Sequence, residues 1–312
     1  RDDMKFTIYQ ESRQGKRKNN EDRIAYCYSR DALLMIVADG MGGHYYGEIA
    51  SQIAAQTLTD AFNRDAKPML QDPFLFLQRG MTNAHHAILD FAADHDLRDS
   101  PRTTCVACVI QDNIAYWAHC GDSRLYLMRD GRTIGQTRDH SRVRLLIDQG
   151  VITEAQAASH PERNKVYSCL GGHQAPEIEF SRKTPLEAGD VILLSTDGFW
   201  GSLPPDMIAL SLKQANLMQA VPMLMNQAEA RGGQYCDNLS VVVTRWEDSY
   251  VEAPQSSIST QTMVLGEVTT KLDEFGRNPA YKMDLSDDEI EKAIQEIRAT
   301  IDKYTPPNKK SQ

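Results

Sequence analysis

Leu33-Leu34-Met35-Ile36-Val37-Ala38-Asp39-Gly40 is the stretch that decides how this chain folds. A short apolar run reads as a buried strand. Alternate residues of a strand face opposite ways, and both faces of this run are apolar, so it must be covered on both sides. The run stops at a carboxylate, Asp39. The same grammar recurs where Val191-Ile192-Leu193-Leu194-Ser195-Thr196 stops at Asp197. It recurs again, reversed, where Asp237-Asn238-Leu239 leads into Ser240-Val241-Val242-Val243. A carboxylate at the mouth of a buried strand loses water, which is costly unless something positive meets it. Three of them from remote parts of one chain point to a shared hard divalent cation with oxygen ligands.

Working outward, strands are predicted over 6–9, 23–28, 33–38, 104–110, 114–119, 124–128, 133–136, 191–195 and 239–244. Long helices are predicted over 48–63, 74–93 and 216–230, with short ones over 141–149 and 153–159. Asp112-Asn113 and Asp130-Gly131 have the composition of tight hairpin turns, so successive strands pair antiparallel. Each long helix has one apolar face and needs a sheet to cover. The predicted fold class is therefore α+β: two packed antiparallel β-sheets flanked by helices on both sides.

Composition narrows the function. With 312 residues, 41% of them hydrophobic, the chain can bury a large core. A net charge of -9 argues against a general nucleic-acid binder. No apolar run approaches the ~18 residues of a membrane span. With no leader visible and six scattered cysteines read as reduced, the expected location is the cytoplasm. Cys105-Val106-Ala107-Cys108 resembles a metal or redox pair, but residues three apart on a strand face opposite sides, so both read as small core residues.

The organisation expected is a catalytic body over 1–248, a flexible linker over 249–283 and a helix with a polar tip over 284–312. In the last part Ser286 and Glu289 form a capping box. Ile290, Ala293, Ile294, Ile297 and Ile301 follow as one apolar stripe, to be covered by the chain itself, a second copy or a partner.

Two further segments bear on chemistry. Asp39-Gly40-Met41-Gly42-Gly43-His44 places glycines where the backbone can approach a ligand, and the Gly40 carbonyl could join a cation's shell. The basic loop Gly15-Lys16-Arg17-Lys18-Asn19-Asn20 ends in Glu21-Asp22; an arginine beside acids suits an oxyanion held next to metal ions. Cations and a guanidinium together fit phosphoryl chemistry, in which charge stabilisation carries most of the rate. By contrast, Asp130-Gly131 lies between two ordinary strand patterns and is only a turn.

At these residues the chain resembles the metal-dependent protein phosphatases of type 2C (PPM) in their compact bacterial form. The resemblance runs from about residue 5 to 245 and rests on eight motifs in family order. They are Gln14-Gly15-Lys16-Arg17 with Glu21-Asp22; Val37-Ala38-Asp39-Gly40-Met41-Gly42-Gly43-His44; Gly47-Glu48-Ile49-Ala50-Ser51; Gly121-Asp122-Ser123-Arg124; Asp139-His140-Ser141; Leu170-Gly171; Ser195-Thr196-Asp197-Gly198; and Asp237-Asn238-Leu239-Ser240.

The resemblance implies a serine/threonine phosphatase in which an activated water attacks phosphorus without a covalent phosphoenzyme. It implies two Mn²⁺ or Mg²⁺ ions, with Asp39 bridging them, the Gly40 carbonyl on one, and Asp197 and Asp237 on the other. A weaker third ion would sit near Asp122. Glu21 and Asp22 would orient water, Arg17 would hold the substrate phosphate, and His44 would protonate the leaving alkoxide. Residues 141–171 would form an exposed flap. Partners would be phosphorylated Ser/Thr proteins and a cognate protein kinase. Two positions depart from the pattern. Arg13-Gln14 stands where bacterial members carry a Thr-Asp or Ser-Asp pair, and Gly201 stands where some members have an acid, which bears on the third ion. Two alternatives stay open: a catalytically silent regulator binding phosphoproteins or a kinase, and a phosphatase for small phosphorylated metabolites.

Overall fold

The computed structural model describes residues 4–43, 46–247, 257–279, 281 and 283–306. The strands are β1 (Lys5–Arg13), β2 (Asp22–Tyr28), β3 (Ala32–Met41), β4 (Arg102–Thr103), β5 (Cys105–Gln111), β6 (Ile114–Cys120) and β7 (Arg124–Arg129). They continue with β8 (Arg132–Gln136), β9 (Glu179–Phe180), β10 (Thr184–Pro185), β11 (Val191–Ser195), β12 (Leu239–Trp246), β13 (Ser257–Ser259) and β14 (Thr269–Lys271). The helices are α1 (Tyr46–Asp65), α2 (Pro73–Asp94), α3 (Arg142–Asp148), α4 (Glu154–Ala157), α5 (Asp197–Trp200), α6 (Pro205–Gln214), α7 (Leu217–Gly232) and α8 (Asp287–Asp302).

Among the described residues one sheet has the order β13-β1-β12-β11-β7-β8. The other runs β10-β6-β5-β3-β2-β14, with β4 on β3 and β9 on β6. The named pairings are antiparallel. β3 explains the layering. Leu33, Met35 and Val37 point into the core between the sheets, with Ile24, Val106, Leu125, Ile192, Leu194 and Val242. Leu34, Ile36 and Ala38 point the other way, into a layer formed with α1 and α2. The other sheet repeats this: Leu193, Val241 and Val243 meet a helical layer containing Leu212, Val221 and Leu224. The result is the predicted sandwich of two sheets between helical layers, and it is why the strand runs are apolar on both faces.

The turns and caps follow local chemistry. Asp112, Asn113, Asp130 and Gly131 all have positive φ, as two-residue hairpins require. Cys105 and Cys108 lie in different core layers, and all six cysteines are free. Ser286 caps α8 and forms the predicted capping box with Glu289. No helix among the described residues is long and apolar enough to cross a membrane.

The tail departs from expectation. Within the stretch read as a flexible linker, β13 pairs with β1 and β14 with β2, so each sheet gains an edge strand. Backbone hydrogen bonding needs no apolar pattern, which is why these polar three-residue strands gave no signal. The apolar stripe of α8 is not left for a partner. Ile290, Ala293, Ile294, Ile297 and Ile301 are buried in the layer with α1 and α2.

Candidate active site

Strand ends from both sheets converge at one edge of the central core. Asp39 comes from the end of β3, Asp197 from the step between β11 and α5, and Asp237 from just before β12. Asp122 comes from the crossing between β6 and β7. They line a cavity of ≈ 580 Å³ together with Arg17, Glu21 and Gly40. Asp39, Asp122 and Asp197 are the tightest group: each offers a carboxylate oxygen, and these oxygens all lie within 4.8 Å of one another. Asp237 stands slightly apart; its Oδ2 accepts from Arg17 Nη2 at 2.9 Å.

The local backbone is built around these acids. Asp39 N donates to Thr104 Oγ1 at 3.0 Å, and Thr104 N donates to the Asp39 carbonyl at 2.9 Å. Gly40 N donates to the Glu21 carbonyl at 3.0 Å. A Cβ on Gly40 would stand 2.0 Å from the Gly47 carbonyl oxygen, so only glycine allows this crossing. Asn238 holds the basic loop. Its Nδ2 donates to the carbonyls of Gln14 and Asn19, and its Oδ1 accepts from Glu21 N. The Asp122 turn is fixed by Trp200, whose Nε1 donates to the Asp122 carbonyl at 2.9 Å. Arg124 stacks on the Trp200 ring at 3.4 Å and grips Asp139 through two hydrogen bonds. Asn238, Trp200 and the Arg124–Asp139 pair had no role from sequence. The one available signal was that Asn238, Arg124 and Asp139 sit inside motifs already noted.

Asp22 is placed differently from expectation. It is fully buried and absent from the cavity lining. It pairs directly across from Asp39 in the β2–β3 register, and cross-strand partners share a face. Its Oδ2 accepts from the hydroxyls of Thr196 and Ser240, both from the opposite sheet. Asp22 therefore lies behind the cavity floor, whereas Glu21 reaches the cavity itself. Asp122, expected to serve a weaker third ion, lies in the tightest group with Asp39 and Asp197. His44 lies outside the described residues. At Gly201 a Cβ would come 2.6 Å from the Asp197 carbonyl oxygen, so this backbone leaves no room for an acid there. Asn164 and Val166 of the predicted flap border the cavity.

The electrostatics are those of crowded, desolvated anions. Burial, then the charges of Asp22, Asp197 and Asp122, hold the Asp39 carboxyl well above the usual carboxylate range. Burial and Asp197 do the same for Asp122. Burial pushes Asp197 up to about 6 and Glu21 up to about 7; for Glu21 the charges of Glu48 and Asp237 add to this, while Arg17 and Arg23 oppose it. Asp197 Oδ1 and Asp22 Oδ1 are buried with no hydrogen-bond partner. Close carboxylates with an orphaned oxygen fit a hard divalent cation, which would remove the repulsion and occupy the free oxygen.

A second space of ≈ 790 Å³ shares Met41, Gly42 and Val166 with the first and runs on past Arg98 and Arg102. Neither arginine forms an ion pair among the described residues, although Asp99 also lines the groove.

Two sheets between helical layers, with acids gathered where the strands end, are the architecture of a phosphatase class. Residues 10–234 match the sequence profile described as protein phosphatase 2C. The chain belongs to the protein phosphatase 2C family. It is 33% identical over 227 residues to the serine/threonine protein phosphatase PstP of Mycobacterium tuberculosis, which is 73% of this chain and 42% of that one. The solved serine/threonine phosphatase of S. agalactiae is 30% identical with a TM-score of 0.69, covering 78% of this chain and all of that chain. The catalytic domain of PstP solved in complex with two manganese ions is also 30% identical, with a TM-score of 0.67 and the same coverage.

Proposed function

We propose that this chain is a divalent-cation-dependent phosphatase of phosphoserine and phosphothreonine proteins, acting in the cytoplasm opposite a cognate protein kinase. The observation that carries the reading is the convergence of Asp39, Asp122 and Asp197, from three separate strand ends, to carboxylate oxygens within 4.8 Å of one another. With the Gly40 carbonyl and Asp237, Asp39 and Asp197 would hold two Mn²⁺ or Mg²⁺ ions, and Asp122 would serve a weaker third. Such ions supply charge neutralisation at phosphoryl oxygens and a lowered pKa for water. No covalent phosphoenzyme is needed.

The chain's own groups complete the site. Arg17 is 56% exposed on its side chain and can turn its fork from Asp237 to two phosphate oxygens. Glu21 orients water at the cavity wall. Asp22 braces Asp39 from behind, with Thr196 and Ser240 bonded to its Oδ2. His44 is the proton donor to the leaving alkoxide in this reading. The space past Met41 and Gly42 gives the rest of a polypeptide substrate somewhere to lie.

The test uses purified protein with Mn²⁺ and a phosphothreonine peptide. Phosphate release is expected, and Asp39→Asn should lower it by at least about 10³-fold. Release that survives both EDTA and the substitution would overturn the mechanism. Turnover of phosphosugars equal to that of phosphopeptides would move the target to small metabolites.

A further inference from the structure

Residues 269–279 and 281 lie beyond the residues that match the family profile, yet they reach the wall of the acid cluster. The meeting point is Arg23, a cation only 4% exposed. On one side its Nη1 donates to the carbonyls of Asn20 and Asp22 at 2.9 and 2.6 Å. Its Nη2 pairs with Glu48 at 3.2 Å. These bonds fix the backbone that carries Glu21, and the Glu21 carbonyl in turn receives the Gly40 N–H. On the other side the guanidinium meets the rings of Phe275 and Tyr281, at 5.9 and 5.3 Å. Gln52 ties the two sides together: its Oε1 accepts from Arg23 Nε, and its Nε2 donates to the Asp273 carbonyl. Phe275 is 1% exposed.

A second thread runs parallel to the first. The Tyr281 hydroxyl lies near the Ser12 side chain. Ser12 Oγ lies 2.7 Å from Ser240 Oγ and accepts from Asn20 Nδ2. Ser240 Oγ donates to Asp22 Oδ2 at 2.6 Å. Both threads start in the tail and finish on the 20–22 loop, under Asp39. Phe275 itself is buried in the layer that contains the α8 isoleucines, but the hydrogen bonds that run on from Arg23 and Ser12 to the 20–22 loop involve no α8 side chain.

We propose that Phe275 and Tyr281 are positioning residues for the cation site, so that docking of residues 269–279 and 281 and divalent-cation binding strengthen one another. This rests on the reading above that the acid cluster holds Mn²⁺ or Mg²⁺. The physical link is Arg23. With the rings in place its guanidinium is shielded from water and committed to the Asn20 and Asp22 carbonyls and to Glu48. Without them it is hydrated, and the loop that supports Glu21 and Gly40 gains freedom that cation binding must then remove. Linkage makes the effect reciprocal.

The experiment uses the full chain and two readouts that do not depend on turnover. Hydrogen exchange of residues 269–275 is followed with and without Mn²⁺, and Mn²⁺ affinity is measured by calorimetry. Mn²⁺ is expected to slow exchange in that segment about tenfold. The double variant Phe275→Leu/Tyr281→Phe should bind Mn²⁺ about tenfold more weakly, whereas Ile301→Val, in α8 away from Arg23, should bind it normally. Should the double variant fail to fold, the exchange arm on the unaltered chain still decides. Normal Mn²⁺ affinity in the double variant, or exchange in 269–275 indifferent to Mn²⁺ that demonstrably binds, would overturn the coupling. Failure of the unaltered chain to bind Mn²⁺ at all would overturn the cation-site reading and the coupling with it.

Discussion

At the scale of single residues, the acid cluster sets a pH dependence whose sign can be worked out. Glu21 and Asp22 are pushed up to about 7 and Asp197 to about 6, in each case chiefly by burial. In an unfolded chain these groups titrate near ~4. Between those values the folded protein holds more protons than the unfolded one, so stability falls as pH rises. The contribution is complete below the unfolded pKa and lost as pH climbs through the folded one. His119 and His140 are lowered by burial, so their effect is the opposite and is felt only as pH falls below ~6.5. In EDTA the melting temperature should therefore drop from about pH 6.5, above which the histidines cease to oppose it, to about pH 7.5, just past the folded values of Glu21 and Asp22. Saturating Mn²⁺ should abolish the slope by keeping the carboxylates ionised at every pH in that range. A melting temperature that rises with pH in EDTA would contradict the placement of these acids.

At the scale of elements, the groove beside the cavity carries a prediction about substrate choice. Arg98 and Arg102 are exposed, and the groove leads directly from the cavity mouth. Acidic residues flanking a phosphothreonine would meet both guanidiniums. Each exposed ion pair is worth at most ~1 kcal/mol, so Arg98→Ala/Arg102→Ala should raise KM for a Glu-flanked phosphopeptide about 3- to 10-fold. Turnover of a small aryl phosphate should not change. A KM that moves equally for neutral and acidic peptides would exclude this role.

Legibility in the sequence also varied element by element. β3 and β11 could be read directly because each is buried on both faces, which leaves an unbroken apolar run. α6 gave little signal: only Ile208, Ala209 and Leu212 are buried in it, and it opens on Pro205 directly after Pro204. β13 and β14 were invisible because their pairing is with residues more than 200 positions away and their own composition is polar. For the site, the strand-end acids stood out as charges closing greasy runs. The close approach of Asp122 did not, because it depends on how the β6–β7 crossing spans the two sheets. The depth of Asp22 depends on its register with Asp39, which no local pattern encodes.

At the scale of the whole molecule, the tail is part of the body. Ile297 is 1% exposed among residues of α1 and α2. Ile297→Ala should cost ~2–5 kcal/mol, the usual range for removing a buried isoleucine side chain down to alanine. Urea unfolding followed by tryptophan fluorescence would measure this. A change under ~0.5 kcal/mol, the scale of an ordinary surface substitution, would mean that α8 is not docked in solution.

β13 and β14 have a consequence for synthesis. A ribosome releases the chain from the front, and the body up to β12 can begin folding first. Until residues 257–271 emerge, β1 and β2 are the outermost strands of their sheets, each with a bare row of backbone donors and acceptors. Such margins invite pairing with neighbouring nascent chains. Residues 257–271 therefore act as a late seal, emerging only after the strands whose margins they cover.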